Sequence, residues 1–237
     1  MKNIYIRAFR AVDDKEASQK FVDGHKRVLE NVGITEVTSS NNDWIHNPAV
    51  YVILIESGDR SKVYGGARVH VADGITQLPV EEATMEIDPK ILEVVSKQVP
   101  KGTGEICGLW NSLEVAGYGI GSTYAIRSAI CILPMMGLDT CFALCSPYTA
   151  RVAKNFGFLI DRTLGNNGTF YYPKLDLLAT VVFVENSLTL ESADPEEIII
   201  INELRKTPNT ERIELGKKGE VQVIYDLQVD AHQPINS

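Results

Sequence analysis

A chain of 237 residues can bury one substantial core or divide into two lobes that share a sheet. Hydrophobic and charged fractions of 44% and 23% are those of an ordinary globular protein, and a net charge of −8 speaks against nonspecific nucleic-acid binding and against a polybasic membrane anchor. No apolar run approaches the roughly 20 residues of a membrane helix, and the opening MKNIYIRAFR is too short and too charged for a secretory signal.

KNIYIRAF alternates as a strand does. DDKEASQKFVDGHKRVLENVG follows with helical spacing at Ala17, Phe21, Val28, Leu29 and Val32 and a glycine stop at Gly33. AVYVILIES is a strongly β-branched strand, GDRS a turn, and KVYGGARVHVA its antiparallel partner. DGITQLPVEEA reads as a loop and DPKILEVVSKQV as an amphipathic helix after an Asp-Pro start. GTGEICGLWNSLEV is a mainly apolar strand interrupted by Gly108, which marks a bulge or a close backbone approach.

A glycine-rich turn then opens the helix STYAIRSAICILPMM, which Pro134 and Gly137 end. Strand DTCFALCS, helix PYTARVAKNF with Pro147 at its start, and strand GFLIDRTL follow. After the turn GNNGT, LDLLATVVFVE (175–185) is a long strand. The run IIII (198–201), between Glu197 and Glu203, reads as a buried piece of strand or helix. RIELGKKGEVQVIYDL reads as a hairpin, and an exposed edge strand there offers pairing to a second subunit, so a homodimer is one expectation.

This order predicts an α/β (α+β) fold: a mixed, mostly antiparallel central sheet with helices on both faces. Residues 1–185 read as one domain and residues 186–237 as a C-terminal extension packed on it. Cys107, Cys131, Cys141 and Cys145 lack CxxC spacing, and His25, His46, His70 and His232 lie away from them in sequence. They read as buried free thiols of a reducing, cytoplasmic compartment, and no metal site is expected.

LEVAGYGIGSTYAIRSA, from Leu113, is the stretch with chemical content. Gly117, Gly119 and Gly121 follow a strand and open a helix, where the first amides have no intrahelical acceptor and attract an anion. The dinucleotide fingerprint needs G-x-G-x-x-G after the first strand of a parallel unit, with an acid after the second; here the spacing differs and DTCFALCS ends in Ser146. A triphosphate loop needs Gly-Lys-Ser/Thr, which is lacking. A plain turn and an anion cradle both remain open on spacing alone.

Together with a second motif, this stretch resembles the GNAT N-acyltransferase superfamily, in which a strand, a [QR]-x-x-G-x-[GA] turn and a helix hold the pyrophosphate of the donor. AGYGIG (116–121) fits the turn, and PYTARVAKNFGF resembles the later helix that ends in Gly-Phe. GGARV with Arg68, LPVEEA with Glu81, and GEICGLW with Glu105 are similar to the branch of acyl-homoserine-lactone synthases and N-acyl amino acid synthases, although Gly108 stands where that branch often carries arginine. Ala116 replaces the usual Arg or Gln of the turn, and Ala153 stands where many members have a tyrosine that protonates the leaving thiolate.

The resemblance implies an N-acyltransferase that moves an acyl group from acyl-CoA or acyl carrier protein, as co-substrate, to a small-molecule primary amine such as an amino acid, with no metal. Leu109, Trp110, Asn111, Gly117, Tyr118, Gly119, Ile120, Gly121 and Ser122 would hold the donor. Glu105 would be the base, or else a solvated residue after the KGTG loop; Arg68 would pair with Glu105 or with a substrate carboxylate, or else with a surface carboxylate. Glu81 and Glu86 read as surface charges, and Trp110, Phe142 and Phe158 as core or as the lining of an acyl tunnel. The alanines at 116 and 153 keep a noncatalytic acyl-CoA-binding or sensory module as the alternative, and a structural domain with an empty turn as a third.

Overall fold

Alternation along β1 (Lys2–Arg10) buries Ile4, Ile6 and Ala8, as its sequence period predicts. The chain is described here by a computed structural model covering residues 2–31, 42–216 and 218–231; the expected helix stop at Gly33 lies outside the described residues. The first helix, α1, spans Lys15–Asn31. In β2 (Val50–Ser57) all eight residues are buried, the mark of a strand covered on both faces. Val50, Val52 and Leu54 pack with Phe21, Trp44 and Trp110 beneath α1, whereas Tyr51, Ile53 and Ile55 join the larger core on the opposite face.

β3 (Val63–Val71), β4 (Gly104–Asn111), β5 (Cys141–Cys145), β6 (Leu159–Ile160), β7 (Thr169–Tyr171), β8 (Leu178–Val184), β9 (Asn209–Gly216) and β10 (Gly219–Asp226) complete one sheet. Its order is β6-β8-β5-β4-β3-β2-β1-β10-β9, with β7 also on β8. All pairings are antiparallel except β1–β10 and β4–β5. The larger core gathers α4 (Ala125–Ile132) and Ile201 and Leu204 of α6 (Pro195–Lys206), so helices cover both faces as the element order predicts.

Four segments depart from the sequence reading. Within DGITQLPVEEA lies a short helix, α2 (Pro79–Thr84), which starts because Pro79 supplies a preset first-turn φ and the Glu81 carboxylate accepts the Leu78 amide at 2.7 Å. α3 (Lys90–Ser96) is shorter than the run that predicts it, and GFLIDRTL yields only the two-residue β6. The IIII run is helical and only partly buried: Ile201 is fully covered while Ile199 is 59% exposed, because a helix turns successive residues to different sides. Among the described residues no helix is long and apolar enough to cross a membrane.

Candidate functional site

A bulge in β4 organises the site. Opposite β3, Gly66 pairs with Trp110 and Arg68 with Cys107, so two residues of β4, Gly108 and Leu109, stand against Ala67 alone. Gly108 takes φ +58°, and a Cβ there would stand 2.8 Å from Arg68 Nε. The guanidinium of Arg68 thus occupies the space that a side chain at 108 would need. β4 and β5 pair only at Glu105 and Phe142, and beyond that point the two strands part.

The parted strands leave a cavity of about 310 Å³ that runs through the sheet. Cys107, Gly108 and Leu109 wall one side and Ala143, Leu144 and Cys145 the other, with His25 of α1 on one face and Ile126 of α4 on the opposite one. The hydroxyl residues Ser146 and Thr149, which begin α5 (Pro147–Lys154), complete its rim. Ala153 and Phe158 also line it, so Phe158 belongs to the cavity wall. Phe142 instead packs in a separate core with Leu78, Ile91 and Val181.

Leu109 and Thr149 are shared with a second, larger cleft of about 560 Å³. All nine residues expected to hold a donor line this cleft: Leu109, Trp110, Asn111, Gly117, Tyr118, Gly119, Ile120, Gly121 and Ser122. The turn works because Gly119 adopts φ +82°, a conformation closed to most side chains, and then leads into a π-helical turn over Ile120–Tyr124 before α4. Among the described residues the amides of Gly119, Ile120 and Gly121 have no hydrogen-bond acceptor. Asn111 Oδ1 is buried beside Gly121 and likewise lacks a partner. A ring of free amides at a helix start is suited to a phosphate.

The sheet face beneath α1 carries the titratable groups. Arg68, 1% exposed, sits 4.4 Å from the centroid of the Trp44 ring. Glu105 is equally buried, accepts the Val80 amide at 2.6 Å, and has its pKa pushed up to about 8. Burial dominates that rise; the Val80 amide and the charge of Arg68 oppose it. Burial, reinforced by Arg68, lowers His25 to about 4 and carries His70 well below its ordinary value. A recess of about 160 Å³ lined by Trp44, Asn47, Arg68, His70, Thr76 and Glu82, among others, opens on this face. Arg68 therefore lines the recess and packs against Gly108, which lines the cavity through the sheet.

Glu105 is thus no solvated residue of the KGTG loop, and Arg68 is no surface residue; the β-ladder carries both inward. Glu81 is also buried and caps α2, which corrects its reading as a surface charge, whereas Glu86 is exposed. Sequence reasoning passed over His25: its only signal was a polar residue on the apolar face of a helix, one turn from Phe21. All four cysteines are free thiols, and burial pushes Cys107, Cys131 and Cys145 up to about 12.

No protein-family model matches the sequence, and no curated protein matches it. Solved structures do match in fold. FeeM, an N-acyl amino acid synthase from uncultured soil microbes, aligns with a TM-score of 0.61 at 12% identity over 84% of this chain and 99% of that one. BjaI, a CoA-dependent acyl-homoserine lactone synthase seen with SAM and isopentyl-CoA, aligns at 0.54 and 12% identity over 96% of both chains. The acyl-homoserine lactone synthase LasI aligns at 0.54 and 13% identity over 78% of this chain and 90% of that one. The chain therefore shares the fold of these structures, an N-acyl amino acid synthase and two acyl-homoserine lactone synthases.

Proposed function

We propose that the chain is an N-acyltransferase that moves an acyl group from a pantetheine thioester, acyl-CoA or acyl carrier protein, to a small primary amine such as an amino acid. The observation that carries this reading is the continuity of two spaces: the amide-lined cleft at Gly119 meets the cavity between β4 and β5 at Leu109 and Thr149. The phosphate end of a donor would rest in the first, and its thioester at the Gly108 bulge. Acyl-transferring N-acyl amino acid and acyl-homoserine lactone synthases with this fold support the class of reaction.

Transfer requires that the amine lose a proton, that its nitrogen bond to the carbonyl carbon, and that the carbon–sulfur bond break as the thiolate leaves. Glu105, with a pKa near neutrality, is the base in this reading, reached directly or through a water. Arg68 holds a carboxylate of the acceptor in the recess, and ring stacking on Trp44 fixes its plane. Leu109, Trp110, Asn111 and residues 117–122 hold the donor. Residues 1–185 form the acyltransferase core and residues 186–237 an extension on it, in a cytoplasmic protein whose thiols stay reduced.

The alternative, a noncatalytic acyl-CoA sensor, is favoured by one observation: buried Ala153 lines the thioester cavity and presents no hydroxyl to a leaving thiolate. Calorimetry with CoA, acetyl-CoA and palmitoyl-CoA, followed by mass spectrometry of mixed amino acids and polyamines incubated with the donors, tests both. Binding with acylated product is expected; binding without product across all amines selects the sensor. Failure to bind any thioester, free or carrier-linked, overturns both.

A further inference from the structure

The turn AGYGIG carries no cation and Ala116 presents only a methyl group to the cleft, yet the fold brings two cations from elsewhere. The β9–β10 hairpin closes one wall of the large cleft: Leu215 and Gly216 line it, and Gly216 packs directly on the Tyr118 carbonyl. Lys218, at the hairpin tip, lies across Gly117, with Nζ 3.3 Å from where a Cβ at Gly117 would stand and 5.7 Å from the centre of the Tyr118 ring. Lys2, at the start of β1, places its Nζ 5.2 Å from the same ring and 5.0 Å from that of Tyr64. Among the described residues neither lysine forms an ion pair with a carboxylate, in a chain whose net charge is −8.

Two ammonium groups gathered on one ring repel each other until an anion enters between them. The phosphate charge that they could neutralise distinguishes the two donor classes. A carrier-bound phosphopantetheine brings one phosphodiester, a single negative charge that free turn amides can satisfy. Coenzyme A brings a pyrophosphate and a further phosphate monoester, whose charge alone is about −1.5 to −2 at neutral pH.

We propose that Lys218, assisted by Lys2, selects coenzyme A thioesters over carrier-bound ones by binding the phosphate charge that phosphopantetheine lacks. This rests on the reading of the cleft as a donor site. Lys2 has the smaller part, because its Nζ also donates to the Glu114 carbonyl at 3.4 Å. The hairpin, which lies outside the glycine motif, thereby supplies the cation that the motif omits.

Calorimetry of the full chain with coenzyme A, its 3′-dephospho form and the methyl phosphodiester of 4′-phosphopantetheine, which keeps the single charge of the carrier-bound arm, at low and high salt, tests it. Coenzyme A should bind about tenfold or more tightly than the phosphodiester at low salt, with the difference shrinking at high salt. Lys218→Ala should weaken coenzyme A about five- to tenfold while leaving the phosphodiester within about twofold, and Lys218→Arg should restore most of the loss. Equal binding of coenzyme A and the phosphodiester to the unmodified chain, or unchanged coenzyme A affinity in Lys218→Ala, overturns the inference and leaves the donor cleft standing. Binding of none of the three overturns the cleft reading itself, and this inference with it.

Discussion

Two buried arginines on opposite faces of the sheet show how differently the same side chain can be used. Arg127 of α4 is gripped by the Glu197 carboxylate through Nε and Nη2 at 2.7 and 2.8 Å, and donates to Glu214 at 2.9 Å. The Tyr225 hydroxyl donates to the other oxygen of Glu214 at 3.1 Å, so α4, α6, β9 and β10 are tied at one point. Arg68 instead lies against the Trp44 ring, and the acid and the two histidines that share its electrostatic surroundings, Glu105, His25 and His70, are all shifted toward neutrality by burial. Close pairing holds Arg127 charged and anchors structure; burial brings Glu105 to where it can exchange a proton near neutral pH and keeps His25 and His70 uncharged there.

The largest effect should come from breaking the paired cluster. Arg127→Ala leaves Glu197 without its bidentate partner and buried Glu214 with only the longer Arg212 contact at 3.5 Å, and should destabilise the fold by about 3–5 kcal/mol in urea unfolding, while any acyl transfer per folded molecule stays near normal. Glu105→Gln should do the reverse. Turnover falls by about a hundredfold or more if Glu105 is the base, and unfolding stability does not drop, since an amide of the same shape can accept the Val80 amide without the cost of burying a charge. Full turnover in that variant would remove Glu105 from the mechanism.

The pH dependence of stability separates the two titrating groups. Glu105 rises from an ordinary 4.5 to about 8 in the folded state, so the native chain binds the extra proton. Its stabilising contribution is complete below pH 4.5 and is lost as pH rises through about 8, and Glu105→Gln should flatten that decline. His25 falls from 6.5 to about 4, so its contribution is present above pH 6.5 and is lost as pH falls through about 4; His25→Gln should flatten this acid-side loss. Unfolding curves across pH 4–9 check both signs, and identical slopes in wild type and variants would contradict the burial of these groups. The smallest of these effects belongs to the turn: Gly119→Val forces a β-branched residue into φ +82° and should weaken donor binding about tenfold with the circular dichroism spectrum unchanged.

Much of this architecture was legible residue by residue. The alternation of KNIYIRAF, the continuous apolar run of β2 and the glycine at 108 each forecast the structural role that they have, because local sterics and burial period act over a few residues. The nine residues that the resemblance assigned to a donor line one cleft. By contrast, α2 was missed because its start depends on a proline and a carboxylate cap rather than on hydrophobic period. The parallel pairing of β10 with β1 joins residues more than two hundred positions apart, which no local pattern encodes.

The sequence by itself therefore determined the layered α/β plan, the strand interrupted at Gly108 and a glycine turn able to bare its amides, because each follows from the backbone freedom or burial of neighbouring residues. Only the tertiary structure decided what stands around them. It parted β4 from β5 to open the sheet, and it buried Glu105, Arg68 and His25 so that their proton affinities shift. It also folded the C-terminal hairpin back so that Lys218 reaches a turn that has no cation of its own. Charge, burial and proton affinity depend on distance through space, and those distances exist only once the sheet has formed.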